Sequence, residues 1–165
     1  MQELAYWIWL SRIENVGKKR IFDLLQRYKT PEKLWNASKE ELISLGISEK
    51  KAEKITKIEY KQNLDKYIEY MRKTGIHLIT INSEYYPYAL KNIYDPPIAI
   101  YVKGNKEILN NFAIAIVGCR KASKYGEDIS KNFAYELSKA NINIISGGAR
   151  GIDTCSHLRS AQSNR

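Results

Sequence analysis

The sequence predicts an α/β chain: an all-α part over residues 1–64, followed by an incomplete parallel sheet with helices over residues 65–165. Two observations carry this prediction. Apolar residues recur at helical spacing in the first part, between typical helix start and stop signals. Short segments rich in Val and Ile recur in the second part, and the last two of them flank a long amphipathic helix pattern. Strands alternating with helices in this way are typical of a doubly wound parallel sheet.

Composition points to an anionic partner and gives no sign of a membrane protein. The 165 residues contain 27 Lys and Arg against 18 Asp and Glu, a formal net charge of +9. This excess favours nucleic acid, although a well-solvated lysine-rich surface is the plain alternative. No apolar run reaches the ~20 residues that span a bilayer, and the N-terminus is a poor signal peptide. Two cysteines, Cys119 and Cys155, are too few for a disulfide framework, so we expect a cytoplasmic protein with reduced thiols.

The helical part carries recognisable boundary signals. Thr30 before a proline, and Ser38 with Glu41 three residues later, indicate helix N-termini. Ser48 is expected to cap a further helix, and Gly75 to end the helix that begins near residue 64. The apolar positions that define the first strongly periodic helix are Ile21, Leu24, Leu25 and Tyr28.

A weak internal repeat lies inside the helical part. Segments 13–19 and 42–48 both read apolar-x-x-apolar-Gly and then enter a helix pattern. This resembles the helix-hairpin-helix module, whose turn presents backbone N–H groups to a DNA phosphate as a helix N-terminus does. The possible hairpin contacts with DNA are Gly17, Lys18 and Lys19. The alternative is that the glycines are only turn residues in a packed helical domain.

The second part is predicted to hold a buried parallel sheet. A helix over residues 125–139 connects the last two strands, with Ile129, Phe133 and Leu137 on one face. Strands without polar alternation are typical of a sheet that is covered on both sides. The four predicted strands are 77–81, 98–102, 113–117 and 142–146.

Glycines and basic residues follow the last two predicted strands. Because the carboxyl ends of parallel strands meet at one edge of a sheet, we expect the two loops to converge on a single anionic ligand. Arginine offers a planar fork suited to phosphate. Glycines allow close backbone approach, and we expect at least one of the second loop's three glycines at positive φ. The predicted phosphate or DNA contacts are Gly118, Arg120, Lys121, Lys124, Gly147, Gly148, Arg150 and Gly151.

Several other sites are disfavoured. A dinucleotide fingerprint beginning at Gly118 would meet Arg120 and Ser123 where glycines are required, and no P-loop is present. Asp153 and His157, four residues apart on one helix, are read as a structural pair, with an acid–base pair as the alternative. The two cysteines with one nearby histidine do not make a zinc set. We therefore predict no catalytic residue, no metal ligand and no cofactor.

Three longer stretches resemble one protein family. Residues 85–105, 114–126 and 144–157 match, in order and spacing, motifs of the DprA/Smf family of DNA-processing proteins. The resemblance implies an extended Rossmann-like fold behind a SAM-like or helix-hairpin-helix domain. It implies binding of single-stranded DNA, and RecA loading with protection of incoming DNA in natural transformation. Arg120 matches the arginine of the family's Gly-x-Arg motif, and Gly147, Gly148 and Gly151 match its glycine-rich turn.

The resemblance also implies a longer protein. Where the family continues with Gly-Ala-Leu, this chain has Arg159-Ser160-Ala161. The family's homodimer surface and RecA contact are expected beyond these residues. We expect apolar surface of the shortened sheet to cause self-association through its open edge, or a segment after about Ile152 to be poorly ordered or packed irregularly. The alternative functions are a nucleotide-binding or nucleotide-hydrolysing enzyme of related fold, for example one that cleaves an N-glycosidic bond, and an inactive fragment.

Overall fold

The computed structural model describes residues 2–13 and 16–163. The chain divides into two compact units, residues 1–110 and residues 111–165. The predicted domain boundary after residue 64 lies inside the first unit. The first unit contains α1 Gln2–Ser11, α2 Lys18–Tyr28, α3 Pro31–Trp35, α4 Lys39–Ser44, α5 Glu49–Thr56, α6 Ile58–Lys61, α7 Leu64–Thr74, β1 Ile76–Thr80, α8 Tyr88–Lys91, β2 Ala99–Lys103 and a 3₁₀ turn Lys106–Asn110. The second contains β3 Ala113–Ala115, α9 Lys124–Lys139, β4 Asn143–Ile145 and α10 Ile152–Ser163.

Helix ends in the first unit follow the boundary signals in the sequence. The Thr30 and Ser38 side chains each accept a hydrogen bond from the N–H three residues on, at 3.3 Å and 3.0 Å. Each bond satisfies an N–H that has no partner within its helix. Gly75 ends α7 in the left-handed region at φ 66°. Ser48 occupies the cap position of α5 as predicted, but its side chain makes no capping bond.

One apolar core holds the helices and the first two strands together. Trp9, Leu34 and Ile55 of the helices are almost completely buried, and Ile79 of β1 and Ile98 beside β2 belong to the same cluster. The strands pair antiparallel, from Ile76 opposite Lys103 to Thr80 opposite Ala99. The core therefore extends past the helices, which is why the first compact unit runs to residue 110.

The prediction that the four strands share one sheet is wrong. The described residues form two separate two-stranded sheets, β1–β2 antiparallel and β3–β4 parallel. β1 packs against α7 and α1 of the first unit, and only β3 and β4 retain the parallel arrangement. Strand content at all four positions is confirmed, as is the parallel strand–helix–strand unit of the second part.

The second unit is built on close packing of α9 against α10. Residues with small side chains face this contact: Ala134 is fully buried, as are Ser138 and Ser156. The Ser138 and Ser160 hydroxyls lie 2.6 Å apart. Small side chains let two helix backbones approach closely, and the Ser138–Ser160 contact then joins the two helices directly. The segment after about Ile152 forms α10, a helix through Ser163 that packs against α9. Its order in solution and the self-association of the chain stay predictions.

The expected burial of the parallel sheet and of its helix is wrong in this structure. Phe133, predicted to face the core, is 61% exposed, and Ile129 is also exposed. On the sheet, Ala115 and its register partner Ile145 are exposed too. The small-residue face of α9 takes the contact with α10, so the larger apolar face lies along an open groove beside β3. The apolar surface expected at the parallel sheet is therefore present.

Across the described ranges 2–13 and 16–163, every helix is too short or too polar to cross a membrane.

Candidate nucleic-acid interface

The two predicted loops begin side by side at the carboxyl ends of β3 and β4. Ala115 pairs with Ile145 at the last step of the strand register. The contact continues beyond the strands, because the Ile116 N–H donates to the Ile145 carbonyl at 3.0 Å. The Ser146 hydroxyl then donates back to the Ile116 carbonyl at 2.7 Å. These hydrogen bonds hold the two strand ends in register, so both loops leave the sheet next to each other.

Gly151 brings the second loop against the first. A Cβ on Gly151 would lie 2.4 Å from the carbonyl oxygen of Cys119 and 2.7 Å from that of Arg120, and Gly151 has φ +83°. The neighbouring Ile152 N–H points to the Cys119 carbonyl at 3.4 Å. The positive φ and the lack of room for a Cβ both require glycine at position 151. The two loops therefore lie against each other through backbone contact, and their convergence on one anionic ligand stays a prediction.

The glycine turn itself has the expected conformation. Gly148 has φ +69° with nothing within 4 Å of its missing side chain, so the prediction of positive φ in this turn is confirmed. The Asp153 carboxylate lies under the turn and accepts a hydrogen bond from the Ala149 N–H at 3.4 Å. It also approaches the Cα of Gly147, where a Cβ would lie 3.0 Å away. Buried Asp153 thus supports the loop from below.

The loop cations are all exposed to solvent. Arg120, Lys121 and Arg150 make no ion pair with any other residue in the described ranges, whereas Lys124 pairs with Asp128 at 3.2 Å within α9. Gly118, on the same loop, has no room for a side chain, because a Cβ would lie 2.6 Å from Ile152. The arrangement offers unpaired positive charge around exposed backbone, which can attract a phosphate.

Asp153 and His157 have separate partners. The Asp153 carboxylate bonds the Ala149 N–H, while the His157 Nε2 lies 3.4 Å from the Ser146 carbonyl. Both side chains therefore contact the backbone of the second loop, which fits the structural interpretation of the pair. Among the residues that the structure describes, no three His, Cys, Asp or Glu side chains cluster as a metal site would require. Cys119 is exposed and Cys155 is buried, and both are free thiols.

Both glycines of the internal repeat have a positive φ, while residues 14–15 of the first copy lie outside the described residues. Gly17 stands before α2 with φ 90° and no side-chain cap, and Gly46 has φ +80° in the second copy. Lys19 is exposed on the first turn of α2, whereas the side chain of Lys18 lies outside the described part of the structure. Their role as DNA contacts stays a prediction.

Two residues that order the loops were not predicted. Ser123 caps α9, its side chain accepting from the Gly126 N–H at 3.2 Å. A serine directly before a helix pattern is a recognisable signal. Ser146 bridges the two strand ends, and no local pattern indicates such a bond, because its partner is 30 residues away in sequence.

Comparison with known proteins places the chain in a family. The model of the family described as DNA recombination-mediator protein A matches residues 77–165, and a SAM-like helix-hairpin-helix tandem model matches residues 10–58. The chain therefore belongs to the DNA recombination-mediator protein A (DprA/Smf) family.

Similar proteins carry DprA or Smf names. DNA processing protein DprA of Bacillus subtilis is 40% identical over 90 residues, covering 54% of this chain and 30% of that protein. Protein Smf of Escherichia coli is 35% identical over 104 residues, covering 63% of this chain and 28% of the other. The X-ray structure of DprA from Streptococcus pneumoniae matches 97% of this chain and 54% of that one, with a TM-score of 0.71 and 23% identity. The matched region thus spans about 30% of these curated relatives, and the structural match shows the fold.

Proposed function

We propose that this chain binds single-stranded DNA through the loops after β3 and β4, as part of a recombination mediator in DNA processing. The observation that carries the proposal is the pair of loops in backbone contact at Gly151, with Arg120, Lys121 and Arg150 exposed around them. A strand supplies several phosphates in a row, which suits several cations spread along two loops. Family membership supports a DNA-processing role.

For the family protein as a whole, the proposal includes RecA loading and homodimer formation. It also includes action in the cytoplasm during natural transformation. Residues 113–163 contribute the strand-binding loops to that activity. We propose binding without catalysis, because Asp153 and His157 are each engaged with the backbone of the loop that they support.

A binding assay tests the proposal. Fluorescence anisotropy with a labelled oligo(dT) strand, at two salt concentrations, measures affinity and its electrostatic part. Counterion release lowers log K by about 0.7 per log unit of salt for each neutralised phosphate of a single strand. Three or four contacts then give a slope of about −2 to −3. A flat salt response, or a preference for free nucleotide over the strand, would contradict strand binding and favour the nucleotide enzyme.

Replacing Arg120 separates the loop site from general surface charge. A charge-assisted bond to phosphate contributes roughly 1.5–3 kcal/mol, so we expect Arg120→Ala to weaken binding at least tenfold. Arg120→Lys should recover part of the loss, because lysine lacks the planar fork. Arg72→Ala is the matched control, since it removes an equal charge from an exposed position on α7. Equal losses in the two alanine variants would place binding elsewhere.

A further inference from the structure

The first turn of α9 presents an aromatic ring to solvent. Tyr125 is 76% exposed, and in the described part of the chain its ring and hydroxyl make no ring contact, cation contact or hydrogen bond. Isolated exposed aromatics are common on protein surfaces, so exposure alone decides nothing. The position of Tyr125 distinguishes it, because it lies directly after Lys124 at the edge where the cationic loops converge.

The backbone that carries Tyr125 is held on both sides. Ser123 accepts from the Gly126 N–H at 3.2 Å, and its carbonyl accepts from the Glu127 N–H at 3.0 Å. Gly126 also packs close to the start of α10, where a Cβ would lie 3.6 Å from Ile152 Cδ1. Ile152 is the residue whose N–H faces the Cys119 carbonyl of the first loop. The backbone at Tyr125 is therefore anchored to the same packed junction as the loops, while the ring itself stays exposed.

A single strand differs from a duplex and from inorganic phosphate by its accessible bases. Proteins that bind single strands combine a positively charged path for the backbone with aromatic side chains on which bases stack. Tyr125 follows the first cationic loop in sequence by only a few residues, and its exposed side chain points away from that of Lys124, since consecutive helix residues do not face each other. A strand whose phosphates lie along Arg120 and Lys121 then continues past the first turn of α9, where the ring is accessible to a base.

We propose that Tyr125 is the base-stacking residue of this site and makes it select single-stranded DNA over bare phosphate and over duplex. This inference rests on the proposed function, because it needs a strand at the cationic loops. It adds a contact that is independent of charge. Stacking on Tyr125 should tolerate any base, since every base has a π face, and a phenyl ring should serve nearly as well as a phenol.

The test compares two probes and three variants. The probes are a labelled oligo(dT) strand and an abasic oligomer of the same length, which keeps the phosphates and removes the bases. The variants are Tyr125→Ala, Tyr125→Phe and the matched control Tyr94→Ala, because Tyr94 is 97% exposed in the first unit. Stacking contributes about 1–3 kcal/mol per base, so Tyr125→Ala should weaken oligo(dT) binding by about fivefold or more.

The expected pattern is specific to stacking. Tyr125→Ala should leave binding of the abasic probe and the salt slope unchanged, and Tyr125→Phe and Tyr94→Ala should bind oligo(dT) as the unchanged protein does. If the unchanged protein binds neither probe, the proposed function fails and the inference with it. If it binds oligo(dT) and Tyr125→Ala binds equally well, the function stands and stacking is refuted. An equal loss on both probes would show that Tyr125 only supports the fold, which also overturns the inference.

Discussion

Replacing Gly151 by alanine should break the contact that joins the two loops. The new Cβ would lie 2.4 Å from the Cys119 carbonyl oxygen, about 1 Å inside ordinary van der Waals contact. An L side chain at φ +83° also costs roughly 1–2 kcal/mol. Overpacking of this kind typically costs another 1–3 kcal/mol. We therefore expect Gly151→Ala to destabilise the second unit by about 2–5 kcal/mol.

Gly148 provides the matched control for this change. It has φ +69° and open space around its missing side chain, so Gly148→Ala should cost only the backbone term of roughly 1–2 kcal/mol. Hydrogen exchange of peptides from α9 and α10 measures the free energy of local opening in each variant. Gly151→Ala should lower it by about 1–3 kcal/mol more than Gly148→Ala. Equal losses would show that the loop contact contributes nothing, and the account of the site given above would fail.

Two predictions concern the first unit. Ser38→Ala removes a capping bond of 3.0 Å and should lower the free energy of unfolding, measured in urea, by about 1 kcal/mol. Ser48→Ala has no capping bond to lose and should change it by roughly a few tenths of a kcal/mol. Equal effects would refute the assignment of Ser38 as a helix cap. Burial, with Glu41 nearby, raises the pKa of Tyr28 from 10.0 to about 12. Between those two values the folded state binds more protons than the unfolded one, so stability should fall as pH rises above about 10. Tyr28→Phe should flatten that fall in thermal melts at pH 9–11, and an unchanged pH dependence would contradict it.

The sequence by itself determined the local structure and the order of the elements. Caps at Thr30 and Ser38, and the helix end at Gly75, act through bonds to residues three or four positions away, so a short window contains all the information. The parallel strands around α9 follow from the strand–helix–strand order, because a crossover of that length joins parallel neighbours. Positive φ in the second loop likewise follows from its run of glycines.

Only the tertiary structure decided which surfaces meet. Periodicity predicts a buried face of α9 with Phe133 and Ile129, yet the face with Ala134, which has smaller side chains, takes the contact with α10. The face that packs depends on how well its side chains fit the partner helix as well as on their hydrophobicity. β1 and β2 likewise pack on the helical core in a sheet of their own, because tertiary contacts decide which elements share a core. The fit of Gly151 against the Cys119 carbonyl joins residues 32 positions apart, and no local pattern encodes such a distance.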